Sequence, residues 1–266
     1  MFLYRTKFAK EILTEFTPPS RKLKKQKVII YCDGMPSNPR KQGLCKLLAK
    51  KGYWVFYLRY RGSWESGGSF LAKSPAQDIS DIIDGLQKPF KEAAFGKVFS
   101  FTPDEIYVIG GSFGGCTALM SSLDPRVKKV IANCPVVDWT IQKKTEKAET
   151  SNKSYAAYLR EAWGNGYRLK PKNWTKLYKG NFFNPMHHVK ETKIEKSDGK
   201  ITNRKMDGTK IMIFHAKDDP YIPYKSVVKF AKKTKSNLKL LARGGHLRTD
   251  WVIDKYWKRI KEFLES

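Results

Sequence analysis

A short β-branched run that breaks into glycines around one serine is the most constraining feature of this chain. Residues 106–116 read Ile-Tyr-Val-Ile-Gly-Gly-Ser-Phe-Gly-Gly-Cys, and the spacing Gly110-x-Ser112-x-Gly114 predicts a tight turn from a strand into a helix. Such a turn strains the serine backbone and leaves no room for side chains on its neighbours. It lifts the Ser112 hydroxyl above the sheet, beside the free amides that open the helix. An ordinary β-to-α loop has the same pattern, so partner residues decide its meaning.

Two later loops carry the acid and the imidazole that such a serine needs. Lys210 to His215 is a compact apolar strand, and it runs into a turn with two carboxylates, Asp218 and Asp219. A second short strand, Leu238 to Leu241, runs into Gly-Gly-His246. Because parallel strands end at the same edge of an open α/β sheet, we expect all three loops to meet there. In proteins with this kind of serine turn, the acid and then the histidine follow the serine along the chain, and the same order occurs here.

The choice of histidine follows from position, because the chain has only four. His187 and His188 lie in an irregular stretch with no preceding strand, which indicates solvated or packing residues. His215 ends a strand, and we expect a satisfied, partly buried ring that braces the acid loop. His246, on its glycine loop, is therefore the candidate base.

The alternation of strands and helices predicts a mostly parallel, doubly wound sheet flanked by helices. At 266 residues, 41% hydrophobic and 13% aromatic, the chain is large enough to bury a full core as one α/β domain. The expected core strands are 28–31, 54–60, 105–109, 129–132, 210–215 and 238–241, with an early edge strand at 11–16. The expected helices are 42–51, 78–87, 113–122, 224–234 and a closing helix at 250–264.

These motifs resemble the catalytic domain of the prolyl oligopeptidase family within the α/β-hydrolase fold. The resemblance rests on Gly-Gly-Ser112-Phe-Gly-Gly, on the acid loop His-Ala-Lys-Asp-Asp-Pro-Tyr-Ile-Pro and on Gly-Gly-His246. Residues 59–68 also resemble the family's glycine-rich loop, and residues 134–139 its segment after the sixth strand. The likeness covers nearly the whole chain. It implies Ser112 as nucleophile, His246 as general base and Asp219 as orienting acid, since the family acid precedes an x-x-Val/Ile-Pro element.

The expected oxyanion site departs from the family pattern. The prolyl peptidases supply a tyrosine hydroxyl from the loop after the first core strand, where this chain reads Cys-Asp-Gly-Met. An ionised Asp33 cannot donate in place of that hydroxyl. We therefore expect the backbone N–H groups of Phe113 and Met35 to bind the oxyanion, as in small esterases, and Asp33 to pair with Arg59 or Arg61.

Residues 140–208 interrupt the alternation and are interpreted as a small cap or lid within a single 1–266 domain. Helices are expected at 155–163 and 174–178. No β-propeller of the kind that related peptidases often carry is expected in the short segment before the first core strand. Aromatic residues there either line an apolar acyl or aryl pocket or pack the cap itself. The candidates for substrate contact are Trp64, Glu65, Trp139, Trp163 and Tyr221. Other aromatic candidates are Tyr167, Trp174, Phe182 and Phe183.

The net charge and the cysteine pattern indicate which binding partners and which cellular compartment to expect. The formal net charge is +27, which can attract nucleic acid, anionic lipid or anionic substrates. The lysines are scattered, and no nucleic-acid-binding fold with base-stacking aromatics is visible, so no obligatory nucleic acid is expected. No segment approaches the roughly 18 apolar residues of a membrane span, and no secretory signal is expected. Cys32, Cys45, Cys116 and Cys134 lack paired spacing, which indicates buried thiols in a reducing cytoplasm, with no metal or cofactor.

The sequence therefore predicts a serine hydrolase that cleaves carboxylic esters, with aryl or feruloyl-type esters as candidate substrates, through an acyl-enzyme. One alternative is a prolyl oligopeptidase-like peptidase that acts on short peptides. Another is a non-catalytic basic binding protein that retains the fold. No signal points to a particular oligomeric state.

Overall fold

An eight-stranded sheet forms the centre of the molecule, and the computed structural model describes it within residues 2–21, 24–141, 155–195 and 201–266. Four shorter strands form two separate hairpins. In chain order the strands are β1 (Tyr4–Phe8), β2 (Ile12–Thr17), β3 (Lys27–Cys32), β4 (Trp54–Leu58), β5 (Phe90–Lys91), β6 (Val98–Phe99), β7 (Glu105–Gly111), β8 (Val127–Asn133), β9 (Thr192–Glu195), β10 (Ile201–Arg204), β11 (Ile211–Ala216) and β12 (Asn237–Leu241).

The strand order places the candidate loops together. The main sheet runs β1-β2-β4-β3-β7-β8-β11-β12, and every neighbouring pair from β4 to β12 is parallel. Only β2 runs against its two neighbours. The carboxyl ends of β7, β11 and β12, which precede the serine, acid and histidine loops, therefore lie on one edge of the sheet. This is the mostly parallel α/β architecture that the sequence predicted.

Eight helices lie in the part of the chain that the structure describes. They are α1 (Gln42–Lys50), α2 (Pro75–Leu86), α3 (Phe113–Ser121), α4 (Tyr155–Trp163), α5 (Pro171–Trp174), α6 (Tyr224–Thr234), α7 (Thr249–Lys255) and α8 (Trp257–Glu265). None of these helices combines the length and the hydropathy needed to cross a bilayer.

Hydrophobic cores lie on both faces of the sheet, because successive side chains of a strand point to opposite sides. In β3, Ile30 packs into one core with α2, α3 and α6, whereas its neighbour Ile29 packs into the other core with α1, α7 and α8. All of β3 beyond Lys27 is buried. Helices on both faces of a largely parallel sheet are the doubly wound arrangement.

Two expectations about the chain ends are wrong in detail. The segment expected as an edge strand is β2, and β1 pairs outside it in antiparallel register from Tyr4 opposite Phe16 to Phe8 opposite Ile12. The pattern Tyr-Arg-Thr-Lys-Phe alternates exposed and buried side chains, so β1 lacks the continuous apolar run that identifies a core strand. The closing helix divides into α7 and α8 at Tyr256, whose backbone leaves the helical region.

The segment 140–208 carries short helices where the sequence predicted them, in α4 and in α5 with a 3₁₀ turn at Thr175–Tyr178. Residues 142–154 and 196–200 lie outside the described residues, and they include the Ser-Asp-Gly sequence at 197–199, which is typical of a turn. Backbone hydrogen bonds attach this segment to the loop after β4, from Trp64 N–H to Gly166 O and from Phe70 N–H to Arg168 O, each 3.0 Å long. Its interpretation as a cap stays a prediction.

Candidate active site

Ser112 sits in a strained turn between β7 and α3. Its backbone has φ 56° and ψ −119°, outside the regions that a residue with a side chain normally occupies. Such strain costs on the order of 1–3 kcal/mol and persists only where surrounding packing enforces it. Close packing of backbone against backbone enforces the turn, and the glycines permit it. A Cβ on Gly110 would overlap the Gly114 carbonyl, and one on Gly114 would overlap the Cys32 carbonyl. The turn therefore needs glycine at both positions.

Backbone hydrogen bonds hold the serine turn while leaving two amides available. Ser112 N–H donates to Asn133 O at 2.8 Å, and Ser112 O accepts from Cys116 N–H at 3.1 Å. Within the described residues, neither Phe113 N–H nor Met35 N–H donates a hydrogen bond to the protein. Both residues line the same cavity as Ser112. Two unpaired N–H groups beside a hydroxyl are what an oxyanion site requires.

Asp219 and His246 form a close pair across the loops that follow β11 and β12. His246 Nδ1 lies 2.9 Å from Asp219 Oδ2, while Asp219 Oδ1 accepts from the N–H groups of Tyr221 (2.9 Å) and Ile222 (3.0 Å). Burial of the carboxyl favours its protonation, but the hydrogen bonds from His246 and the two amides outweigh this and lower the pKa of Asp219. An ionised carboxylate only accepts, so Nδ1 of His246 carries the proton and Nε2 of the neutral ring is an acceptor.

The neighbouring carboxylate, Asp218, has a different position. Its oxygens accept from the N–H groups of Gly244 (3.2 Å) and Gly245 (2.9 Å), the two residues before His246. Asp218 is exposed, whereas the side chain of Asp219 is fully buried. Asp218 therefore shapes the histidine loop, and Asp219 contacts the imidazole.

The other three histidines do not line the cavity that Ser112 lines. The Nε2 of His215 lies 3.1 Å from the carbonyl oxygen of Ile222, so the ring contacts the acid loop as expected. The expectation of a satisfied, partly buried ring is wrong, because His215 is fully buried and its Nδ1 has no hydrogen-bond partner among the described residues. Burial lowers the pKa of His215 and so favours the neutral ring. His188 is buried with Nε2 3.2 Å from Asn181 O, while His187 is partly exposed.

Ser112 and His246 share one cavity of about 1020 Å³. Among the described residues no hydrogen bond joins the Ser112 hydroxyl to His246, and such contacts are often long before substrate binds. Both side chains are reachable from the cavity, since Ser112 is partly exposed and the His246 side chain is 25% exposed. The charged lining residues are Asp33, Arg40, Lys41, Glu161, Arg248 and Asp250.

The expected pairing of Asp33 with Arg59 or Arg61 is wrong. Asp33 accepts from Tyr57 OH at 3.1 Å and from Gly34 N–H at 2.9 Å, and Lys41 Nζ lies 3.5 Å from it. The two arginines point to acids of the first β-hairpin and of α2. Arg59 pairs with Glu15 at 2.8 Å, and Arg61 pairs with Glu11 at 2.6 Å and with Asp78 and Asp81. The β1–β2 hairpin, which the sequence did not resolve, supplies these nearer partners.

The residues predicted to contact substrate divide into two groups. Trp139 and Tyr221 line the cavity, and the Tyr221 ring stands edge-on to His246 at 5.3 Å between centroids. Trp64, Glu65 and Trp163 do not line it. Trp64 donates to Ser37 O and packs against Trp163, while Glu65 is exposed beside Arg59. The remaining aromatic candidates pack into the core or around it: Tyr167, Trp174, Phe182 and Phe183.

Asn133 is a site residue that sequence reasoning missed. It ends β8, lines the cavity, and donates from Nδ2 to Leu247 O at 2.7 Å and to Thr249 Oγ1 at 3.2 Å. These bonds tie the loop that carries His246 to the strand beside the serine turn. A polar residue at the carboxyl end of a parallel strand is the available signal. Arg40 and Arg248 lie in irregular loops, where the sequence gives no comparable signal.

A possible ligand set for a metal lies beneath the acid loop. Cys134, His215 and Asp219 each offer one ligand atom, and these atoms lie within 4.8 Å of one another. All four cysteines are free and buried. The pKa of the Cys134 thiol is raised, first by burial and then by the Asp219 carboxylate.

The sheet, the strained serine turn and the loops at its carboxyl edge define an α/β-hydrolase. The chain belongs to the prolyl oligopeptidase family, whose model matches residues 42–252, and the resemblance predicted from the motifs is confirmed. Because it belongs to this family, the protein is a serine hydrolase. No curated protein sequence matches the chain.

Solved structures with the same fold cover nearly the whole chain at low sequence identity. An esterase from Pyrococcus furiosus has 15% identity and a TM-score of 0.67, with 99% of this chain and 89% of that chain covered. Est1E from Butyrivibrio proteoclasticus, solved with ferulic acid bound, has 16% identity and a TM-score of 0.60, with 98% and 99% covered. The acylaminoacyl peptidase of Pyrococcus horikoshii has 18% identity and a TM-score of 0.64, with 99% of this chain but 41% of that chain covered.

Proposed function

We propose that the protein hydrolyses carboxylic esters through an acyl-enzyme formed on Ser112. The observation that carries this proposal is the 2.9 Å contact between Asp219 Oδ2 and His246 Nδ1, beside a cavity lined by both His246 and Ser112. The contact leaves His246 Nε2 as the nitrogen that accepts a proton. The cavity provides the space in which an acyl group binds.

In the acylation step, Ser112 Oγ attacks the ester carbonyl carbon while His246 Nε2 removes the proton of the Ser112 hydroxyl. Asp219 holds the ring by Nδ1 and stabilises the imidazolium. The carbonyl oxygen becomes an oxyanion, which accepts hydrogen bonds from the N–H groups of Phe113 and Met35. The ester C–O bond then breaks, and His246 Nε2–H gives its proton to the departing alcohol oxygen.

Deacylation repeats these roles with water as the nucleophile. His246 Nε2 removes a proton from water, the resulting hydroxide attacks the acyl carbon, and the same two amides bind the second oxyanion. Collapse returns the proton from His246 to Ser112 Oγ and releases the carboxylic acid. No residue beyond this set needs to change its protonation state.

An ester with an aromatic group fits the cavity lining. Six of the residues that line the cavity are aromatic: Tyr31, Phe113, Trp139, Tyr155, Tyr158 and Tyr221. Such rings pack against an aryl group in offset or edge-on geometry. The esterase from Pyrococcus furiosus and the ferulic acid complex of Est1E support the same choice by analogy of fold.

Peptide cleavage is the second candidate, and the family match together with the acylaminoacyl peptidase similarity favours it. Amide cleavage demands more of the site, because the amine must be protonated as it leaves. The loop after β3 also lacks the tyrosine that the family's prolyl peptidases use at the oxyanion site. Both considerations support esters over peptides.

Residues 140–208 act as a cap over this cavity in our proposal, within a single 1–266 domain. Support comes from α4, because Tyr155, Tyr158 and Glu161 line the cavity although they belong to this segment. An aromatic wall on the cap restricts the acyl or leaving group that fits. Changes at Tyr158, which is 40% exposed, should therefore alter substrate preference more than folding.

The proposal is tested by fluorophosphonate labelling and by hydrolysis of matched p-nitrophenyl esters and aminoacyl or prolyl anilides. The variants are wild type, Ser112→Ala, and Ser122→Ala as the matched control at the end of α3, where the hydroxyl donates only to Leu119 O. We expect labelling and ester turnover in wild type and Ser122→Ala. Both should fall by at least about a thousandfold in Ser112→Ala.

Each other outcome points to another reading. Cleavage of anilides without cleavage of esters would replace the esterase proposal with a peptidase. Folded wild type that neither reacts with the probe nor turns over any substrate would favour the non-catalytic basic protein. Retained activity in Ser112→Ala would reject Ser112 as nucleophile.

A further inference from the structure

We propose that Cys134, His215 and Asp219 form a binding site for a borderline-soft divalent cation, with Zn²⁺ as the preferred ion, and that occupancy inhibits the hydrolase. The inhibitory half of this inference rests on the proposed function, because it assigns Asp219 to the orientation of His246. The binding half does not. The ion would hold Asp219 and withdraw it from the imidazole.

The three ligand atoms converge beneath the acid loop from three segments. Cys134 follows β8, His215 belongs to β11, and Asp219 lies in the loop after β11. Cys134 N–H donates to Phe214 O at 2.8 Å, which fixes the thiol beside β11. The sulfur, the His215 nitrogen and a carboxylate oxygen all lie within 4.8 Å of one another. Cys134 and His215 are fully buried.

His215 presents an unsatisfied lone pair to this cluster. A carbonyl oxygen only accepts, so His215 Nε2 carries the hydrogen of its 3.1 Å contact with Ile222 O. In the neutral ring Nδ1 is then a bare acceptor, and no described residue donates a hydrogen bond to it. It faces Asp219 Oδ2 at 4.0 Å, so two acceptors meet in a buried space. An unsatisfied buried acceptor such as His215 Nδ1 is costly, and a cation between it and Asp219 Oδ2, which accepts from His246 Nδ1, would satisfy it.

The surrounding hydrogen bonds are those of a metal site. A histidine that binds a metal through one nitrogen usually donates the other N–H to a carbonyl or carboxylate, as His215 does to Ile222 O. The other oxygen of Asp219 is likewise held, by Tyr221 N–H and Ile222 N–H. Both ligands are therefore oriented from outside the cluster.

The donor set selects the ion. Thiolate, imidazole and carboxylate together suit Zn²⁺, whereas Mg²⁺ and Ca²⁺ take oxygen ligands. Tetrahedral zinc needs ligand atoms about 3.5 Å apart, so the three groups must close by on the order of 1 Å. The thiol proton leaves as sulfur binds, since the thiolate is the ligand. His246 Nδ1, already beside Asp219 Oδ2, would be freed or become the fourth ligand.

Inhibition by this route would not compete with substrate. Cys134, His215 and Asp219 do not line the cavity that Ser112 lines, and Asp219 contacts His246 through Nδ1. Substrate can fill the cavity while the ion holds the acid. Loss of the orienting carboxylate contact lowers kcat, on the precedent of serine hydrolases whose acid is replaced, by roughly a thousandfold or more.

The binding half is tested on untagged, chelator-treated protein. Equilibrium dialysis with Zn²⁺ measures stoichiometry and affinity, and titration with Co²⁺ reports a sulfur-to-cobalt charge-transfer band that only a thiolate ligand produces. The variants are Cys134→Ala, Cys134→Ser and His215→Gln, with Cys45→Ala as a matched control, since Cys45 is also a free and buried thiol. We expect one Zn²⁺ per chain and a cobalt band in wild type and Cys45→Ala.

Removal of Cys134 or His215 should weaken Zn²⁺ binding at least tenfold, and the cobalt band should be absent from both Cys134 variants. A wild type with no tight Zn²⁺ and no cobalt band overturns the site, and this result needs no variant to fold. Undiminished binding in folded Cys134→Ser overturns it as well.

The inhibitory half is tested by ester hydrolysis at rising Zn²⁺ and several substrate concentrations. We expect kcat to fall with KM unchanged, and the inhibition to be weakened in Cys134→Ala. Binding without inhibition would reject this half. A protein that binds Zn²⁺ but hydrolyses nothing would instead refute the proposed function and leave the metal site standing.

Discussion

Asn133 donates a hydrogen bond from Nδ2 to the carbonyl oxygen of Leu247 at 2.7 Å, and Leu247 directly follows His246. The same nitrogen lies 3.2 Å from Thr249 Oγ1. Since Asn133 O also accepts from Ser112 N–H, one residue connects the serine turn with the histidine loop. The relative position of the hydroxyl and the imidazole therefore depends on a residue outside the acid–base set.

Replacement of Asn133 by Ala should lower kcat by about tenfold to a hundredfold with little change in KM, because a small displacement of His246 weakens proton transfer. The cost in stability should stay at about 1–2 kcal/mol, because the variant loses the two hydrogen bonds of Nδ2 but also removes a buried Oδ1 acceptor that has no partner among the described residues. Steady-state kinetics on a p-nitrophenyl ester and a denaturant titration measure the two effects.

Asn165→Ala is the control for this prediction, because Asn165 is exposed on the segment after α4. Its kinetics should match wild type. If Asn133→Ala loses stability in proportion to activity, or if it changes only KM, the residue does not position His246.

The two carboxylates of the acid loop should differ sharply in their effect on catalysis. Asp219→Asn should lower kcat by about 10⁴, because an amide beside Nδ1 favours the wrong tautomer of His246. Asp218→Asn should cost about tenfold or less, since Asp218 only accepts from the amides of Gly244 and Gly245. The measurement is kcat for both variants under identical conditions. A larger loss in Asp218→Asn would reverse the assignment.

The convergence of these loops was predictable because it depends on strand direction alone. Ser112, Asp219 and His246 each follow a predicted strand of one parallel sheet. Because parallel strands end at the same edge, the three residues are expected to lie at that edge. The turn chemistry at Gly110 and Gly114 was also local, since both glycines are required by contacts within a few residues or with the adjacent strand. Local patterns and strand order were sufficient for this part of the site.

Side-chain partners from distant segments were not predictable. Asp33 has hydrogen bonds to Tyr57 and Gly34, and Arg59 turns to Glu15, because the unexpected β1–β2 hairpin brings acids to that side of the sheet. The role of Asn133 depends on the path of the loop after β12. Cys134 and His215 are too far apart in sequence to show ligand spacing. In each case the sequence names the residue but does not specify its neighbour.

Asp124 should stabilise the fold in a pH-dependent way. It accepts from Ser80 OH at 3.1 Å and from several N–H groups of Arg126, which together outweigh burial and lower the pKa of Asp124. A depressed folded pKa gives stability that is present above the unfolded pKa and lost as pH falls through the folded value. Asp124→Asn should therefore cost about 1–2 kcal/mol at neutral pH and much less near pH ~2.

Denaturant titrations of wild type and Asp124→Asn at the two pH values give this difference. Asp254→Asn, which changes an exposed carboxylate on α7, is the control and should differ little from wild type at either pH. A cost for Asp124→Asn that is equal at both pH values would show that packing, and not the ionised carboxylate, accounts for it.

The serine turn should tolerate no side chain at Gly114, whereas Gly43 in α1 is replaceable. A Cβ on Gly114 would overlap the carbonyl oxygens of Cys32 and Asp33, and neither backbone can move without shifting β3. Gly114→Ala should lower the free energy of unfolding by about 3 kcal/mol or more, or prevent folding. In α1, a Cβ on Gly43 meets nothing within 4 Å. Gly43→Ala should therefore raise the free energy of unfolding by up to about 1 kcal/mol. Urea unfolding measures the stability of both variants. Equal stabilities of Gly114→Ala and Gly43→Ala would show that the serine turn has room for a side chain, against the close approach of β3 and α3.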